Sequence, residues 1–184
     1  MPRRRAYDLS GHLHFVTFSC YGRRRLLGQQ AASRIVVGNL SLLCRRYQAY
    51  CIGFVVMPEH VHAVLGFGSA GFLSVFMQEW KRLSAVKLRR LLERQGSPVL
   101  KYLTDARGRV HMWQRKYYDF LLFTDRKVRE KIQYLHNNPV SRGLTATPCE
   151  WPWSSARWYE QGKSVGVEMT TWEGFNLSDA THTP

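Results

Sequence analysis

Two apolar runs constrain this chain more than any other feature. Residues 50–57 read YCIGFVVM, residues 60–65 read HVHAVL, and only Pro58 and Glu59 lie between them. Runs this short, rich in β-branched and aromatic side chains, are strand-like, and a proline has no amide hydrogen to give to a sheet ladder. The spacing predicts one bent strand or two neighbouring strands interrupted at Pro58. Residues 12–21 (HLHFVTFSCY) alternate apolar with small polar types, which suits a half-buried strand closed by Gly22. Residues 29–47 carry Ile35, Val36, Leu40, Leu43 and Tyr47 at helical spacing, and a second helix is expected over 71–94, ended by Gly96-Ser97-Pro98. Residues 110–113 and 117–123 read as a strand and a strand edge. Asp125 then reads as the N-cap of a helix that Pro139 stops.

The order β, α, β, β, α, β, α is the split βαβ plan. It predicts an α+β fold, a ferredoxin-like antiparallel sheet covered by helices on one face, followed by an extra C-terminal helix and an irregular tail. A length of 184 residues, 45% of them hydrophobic, suits one core. We divide the chain into a core domain over 1–146 and an extension over 147–184. No run approaches the roughly 18 to 20 apolar residues of a membrane span, and the opening MPRRRAYDLSG lacks the apolar stretch of a secretion signal. A cytoplasmic protein is expected. The four cysteines, Cys20, Cys44, Cys51 and Cys149, form no CxxC pair and read as small core side chains.

Charge narrows the partner. Residues 1–150 hold 25 Lys and Arg against 9 Asp and Glu, whereas 151–184 hold 2 against 4. The basic residues are clumped at Arg3-Arg4-Arg5, Arg23-Arg24-Arg25, Arg45-Arg46, Lys81-Arg82, Lys87 and Arg89-Arg90, interleaved with Tyr21, Tyr47, Trp80 and Tyr102. Clumped cations release phosphate counterions, and flat rings stack unpaired bases, so nucleic acid is the expected partner.

The sharpest chemical signal is His60-Val61-His62. Residues i and i+2 of a strand share a face, so two imidazoles there can grip one ion. Tyr134 and Asn138 lie four apart on the last helix and so share a helical face that can approach the histidines. An amide oxygen beside two imidazoles leaves positions suited to Mg²⁺ or Mn²⁺ with phosphate oxygens. A tyrosine phenol near such an ion can attack phosphorus and store the bond energy as a phosphotyrosine. Tyr117 and Tyr118, next to Arg115 and Lys116, are rival nucleophiles, and Glu59 could orient an imidazole, although the neighbour of a strand ligand usually points elsewhere.

The motifs MPEHVHAVL, WQRKYYDF, YLHNNPVSRGL and WPWSSA, in that order over most of residues 10–160, resemble the REP-associated tyrosine transposases. These are relatives of the single-tyrosine insertion-sequence transposases in the HUH endonuclease superfamily. The resemblance implies a transposase-like catalytic domain over 1–146, with His60 and His62 as the metal pair and Asn138 at the third ligand position. It implies Tyr134 as the nucleophile that joins a DNA 5′ phosphate and leaves a free 3′ hydroxyl, exchanging phosphodiesters without ATP. Single-stranded DNA folded into hairpins would be the partner, gripped by Arg3, Arg4, Arg5, Arg23, Arg24 and Arg25, with Arg115 and Lys116 as further DNA contacts. A monomer is expected, with a dimer as the alternative. The chain departs from the family pattern at Phe120, where an acid is commonly followed by histidine. Two other classes of function fit the same residues: a hairpin-binding module whose cleavage is idle, and a single-stranded RNA-binding protein.

Overall fold

The computed structural model describes residues 12–173, 175 and 177. Four strands, β1 (Leu13–Ser19), β2 (Ala49–Val56), β3 (His60–Phe67) and β4 (Tyr118–Leu122), form one antiparallel sheet in the order β2-β3-β1-β4. Helices α1 (Gln30–Tyr47) and α2 (Phe72–Arg94) take the crossover positions of the ferredoxin-like plan. A short α3 (Leu100–Leu103), then α4 (Asp125–Ser141) and α5 (Ala156–Gln161), complete the described helices. None of them is long and apolar enough to cross a membrane.

The two apolar runs become a hairpin rather than a bent strand. Met57 N–H donates to the His60 carbonyl at 2.8 Å across Pro58-Glu59, where proline's fixed φ suits the first central position of a tight turn. That turn then anchors the segment after β1, because its Glu59 and Pro58 carbonyls accept from Cys20 N and Leu27 N at 2.8 Å each.

Both faces of the sheet are covered, which the expectation of helices on one face did not include. Val16, Phe18, Phe54, Val61, Ala63 and Leu65 bury against α1 and α2. Phe15, Val55 and Val64 bury on the opposite face with Val128, Ile132 and Leu135 of α4 and Trp172 of the tail. This explains why residues 50–57 and 60–65 read as nearly continuous apolar runs: both sides of these strands are dry. Gly53, at an irregularity in β2, lets α4 come close, since a Cβ there would lie 2.5 Å from Ile132 Cδ1.

Residues 151–170 run along the outer edge of β2. Val56 N–H donates to the Trp153 carbonyl (2.8 Å), Ser155 N–H to the Phe54 carbonyl (2.9 Å) and Thr170 N–H to the Cys51 carbonyl (3.0 Å). Tyr159 Oη–H and Trp151 Nε1–H donate to the Ile52 and Val56 carbonyls.

Three local readings are corrected. Residues 110–113 make only isolated bridges, Thr104 with Val110 and Cys20 with Trp113, because this segment returns across α3 rather than entering the sheet. Thr124, not Asp125, caps α4, its hydroxyl accepting from Lys127 N, while Asp125 occupies the first turn. Pro139 does not stop α4, which runs on to Ser141. In the final turn a proline forfeits one amide donor, and the left-handed Gly143 (φ 64°) then ends the helix, its N–H on the Val140 carbonyl.

Candidate active site

The antiparallel register of β1 with β3 sets Thr17 opposite His62 and Ser19 opposite His60, with all four side chains on the face that α4 covers. Thr17, Ser19, Arg23, His60, His62, Tyr134, Asn137, Asn138, Ser141 and Arg142 line one cleft of about 480 Å³. The residues singled out as metal pair, amide and nucleophile therefore meet in one place. Their origins are β3 for the imidazoles and two successive turns of α4 for the phenol and the amide.

His60 Nε2 and His62 Nε2 are 3.0 Å apart, and both rings are buried. The proton positions follow from the partners. Burial by itself would raise the Glu59 carboxyl, but the Arg142 guanidinium and the His60 ring together outweigh it and hold the group below its usual range. Ionised Glu59 can only accept, so His60 Nδ1–H donates to its Oε1 at 3.1 Å and His60 Nε2 keeps a lone pair. His62 Nε2–H then donates to it. The Thr17 hydroxyl donates to His62 Nδ1 at 2.7 Å.

A divalent cation would need lone pairs on both Nε2 atoms. His60 already has one aimed there, and Thr17 permits the other tautomer of His62 because a hydroxyl accepts as readily as it donates. Two nitrogens about 2.1 Å from one octahedral ion, at right angles, would sit about 3.0 Å apart. Burial pushes both rings down, His62 to about 3 with the charges of His60 and Lys131 adding to the effect, so each stays neutral as ligation requires.

Asn138 adds a further polar atom to the cleft. Its Oδ1 is buried without a hydrogen-bond partner among the described residues, whereas its backbone carbonyl accepts from Arg142 N. An unmet buried carbonyl costs about 1–3 kcal/mol, so an oxygen left bare in a cleft beside two imidazoles is suited to a cation. Among the described residues no cluster of three His, Cys, Asp or Glu could hold a metal.

Tyr134 is half exposed, its ring edge-on to His62 (centroids 5.3 Å apart) and to Phe15 (6.0 Å). The Lys131 ammonium lies 5.6 Å from the centre of the Tyr134 ring, 5.1 Å from that of Phe15 and 5.7 Å from that of Phe120. Phe120, the departure from the family pattern, thus helps hold a cation next to the phenol.

The other expectations fall out unevenly. Arg23 lines the cleft itself. Arg24 and Arg25 line adjoining clefts, while Arg3, Arg4 and Arg5 lie outside the described residues. Arg115 and Lys116 are exposed before β4, and neither they nor Tyr117 and Tyr118 line the cleft. Trp80 is no stacking ring: it is fully buried, with Nε1–H on the Val36 carbonyl. Glu59 does orient His60, contrary to the alternation argument, because it sits in the turn before β3 rather than within the strand. Sequence reasoning missed Thr17, Lys131 and Arg142. Thr17 was findable only through strand register, and the other two through the face of α4.

A ferredoxin-like sheet that turns two histidines toward a helix-borne tyrosine is the arrangement expected from the resemblance to transposases, and the class of the chain is that one. The chain belongs to the family of IS200-like transposases, whose family model matches residues 8–138. It is similar to the REP-associated tyrosine transposase of Escherichia coli (strain K12), 24% identical over 178 residues that cover 95% of this chain and 92% of that one. Its fold also matches the solved structure of a REP-associated tyrosine transposase bound to a REP hairpin, with a TM-score of 0.64 at 20% identity over the full length of both chains.

Proposed function

We propose that this transposase cleaves and rejoins single-stranded DNA beside palindromic hairpins, through a covalent link between Tyr134 and a 5′ phosphate. The observation that supports this most is the convergence of the Tyr134 phenol, the facing Nε2 atoms of His60 and His62, and the bare Asn138 Oδ1 in one cleft. A solved relative of the same fold is bound to a REP hairpin, which makes hairpin DNA the natural partner here.

His60, His62 and Asn138 would hold Mg²⁺ or Mn²⁺, with Glu59 fixing the His60 ring and Thr17 the His62 ring. When bound, the ion would polarise the scissile phosphate. The Tyr134 phenol oxygen attacks phosphorus as the bond to the 3′ oxygen breaks, and the phenolic proton is passed through solvent to the departing oxygen. Lys131 offsets the negative charge that gathers on the phosphate during this exchange. One phosphodiester replaces another of similar energy, so a 3′ hydroxyl can reverse the step without ATP.

The test is incubation of the protein with a labelled single-stranded hairpin in its native flanking sequence, with Mg²⁺, Mn²⁺ or EDTA, resolved on a denaturing gel. A metal-dependent, SDS-resistant adduct is expected, absent from Tyr134→Phe and His60→Ala. Tight binding without an adduct in either metal would replace this reading with a hairpin-binding module, and preference for an RNA competitor would replace it with an RNA-binding one.

A further inference from the structure

Arg23 lines three clefts. One is the catalytic cleft; the second, of about 370 Å³, is lined also by Arg25, Pro58, Glu59, Arg142 and Leu144; the third, of about 460 Å³, by Gly22, Arg24, Arg25 and the α2–α3 connection. Arg142 is common to the first two and Arg25 to the last two, so the three run on from one another. Among the described residues, Arg23, Arg24 and Arg25 have no carboxylate within 4 Å. The acid on this path, Glu59, is already engaged by Arg142 (2.8 Å) and His60. Beyond the far end stands Tyr102, 53% exposed, with the Arg24 guanidinium and the Lys101 ammonium each 4.8 Å from its ring centre.

We infer that these clefts form one trench for the unpaired strand that carries the scissile phosphate, with Tyr102 as a base-stacking platform at its far end. This rests on the reading of Tyr134 as the nucleophile. A trench that opens at the nucleophile must receive the strand being cut. Three arginines in succession without a carboxylate partner follow a phosphate backbone, and an exposed ring that carries the flexible Arg24 and Lys101 cations over its face can exchange one of them for a base that has no pairing partner. The platform is built to stay in place. Leu103 next to it is fully buried and its carbonyl accepts from His111 N (2.7 Å), while Cys20 N, Tyr21 N and Leu27 N pin the arginine loop to neighbouring backbone. Arg24 and Arg25 thereby serve the unpaired strand rather than the duplex stem.

Binding is measured with Tyr134→Phe protein, so that no chemistry intervenes, on two DNAs: the hairpin alone and the hairpin with its native single-stranded extension. 2-Aminopurine is placed at successive positions of the extension. The extension is expected to tighten binding at least tenfold and to show one position whose fluorescence is quenched. Adding Tyr102→Ala should abolish the quench and cut the gain about tenfold without changing affinity for the hairpin alone, and Tyr102→Trp should restore both. Adding Arg24→Ala with Arg25→Ala should lower the salt dependence for the extended DNA only. An extension that adds no affinity, or arginine variants that lose affinity equally for both DNAs, would overturn the trench. An adduct formed by the Tyr134 protein despite that result leaves the cleavage reading standing, and a confirmed trench without any adduct leaves the trench and removes the cleavage.

Discussion

Asn138 sits between a structural role and the chemical one proposed for it. Before a proline, an asparagine reads equally well as a helix cap, and its backbone carbonyl does take part in the end of α4 by accepting from Arg142 N. The side chain is what departs from that role, because its buried oxygen has no partner among the described residues. Asn138→Leu keeps the branched outline of the side chain and removes the carbonyl. It should raise the Mn²⁺ concentration needed for half-maximal adduct about tenfold or more while leaving folding intact, as read by adduct titration beside circular dichroism. An unchanged metal requirement would return Asn138 to the helix end. Glu59 teaches the complementary point: strand alternation says where the side chains of β3 aim, but says nothing about a residue in the turn one position earlier.

Among the elements, α4 depends on groups from two other parts of the chain. His136, between Tyr134 and Asn138, is buried with Nε2 2.8 Å from Ser155 Oγ, and that hydroxyl also accepts from Phe54 N at 3.0 Å on β2. Burial pushes His136 down to about 4 from its ordinary 6.5, against a small opposing pull from Glu160. The unfolded chain therefore takes up a proton below pH 6.5 that the folded chain refuses until about pH 4. Stability from this group is constant above pH 7 and is lost as the pH falls through that window, by about 2 kcal/mol between pH 7 and pH 5. His136→Gln should lose that much less than the parent over the same interval in urea titrations, and equal losses in both would remove His136 as the cause. Much of this level was legible in the sequence. Apolar spacing located α1, α2 and all four strands because it reports burial directly. It could not say which sheet face α4 would cover, since Val128, Ile132 and Leu135 fit either face and Gly53, which decides the close approach, looks like an ordinary strand interruption. Residues 110–113 failed for a related reason: Met112 and Trp113 are buried like strand residues, Trp113 against Phe18 with its Nε1–H on the Lys81 carbonyl of α2, but their backbone makes no strand.

For the whole molecule, the edge of β2 bears on assembly. An open strand edge invites pairing with a second copy, and here residues 151–170 already occupy the backbone groups of Cys51, Ile52, Phe54 and Val56. The full chain should travel as a particle near 21.5 kDa in light scattering, with and without hairpin DNA after subtracting the DNA mass. A stable particle of twice that mass would mean that another surface joins two copies. The order in which the site's parts leave the ribosome also matters. Thr17, His60 and His62 emerge early, Tyr134 only after more than two thirds of the chain, and Ser155, which steadies its helix, later still. A message broken off midway would yield a basic protein that carries both histidines but lacks Tyr134, and so, on the proposed mechanism, one unable to form the phosphotyrosine link.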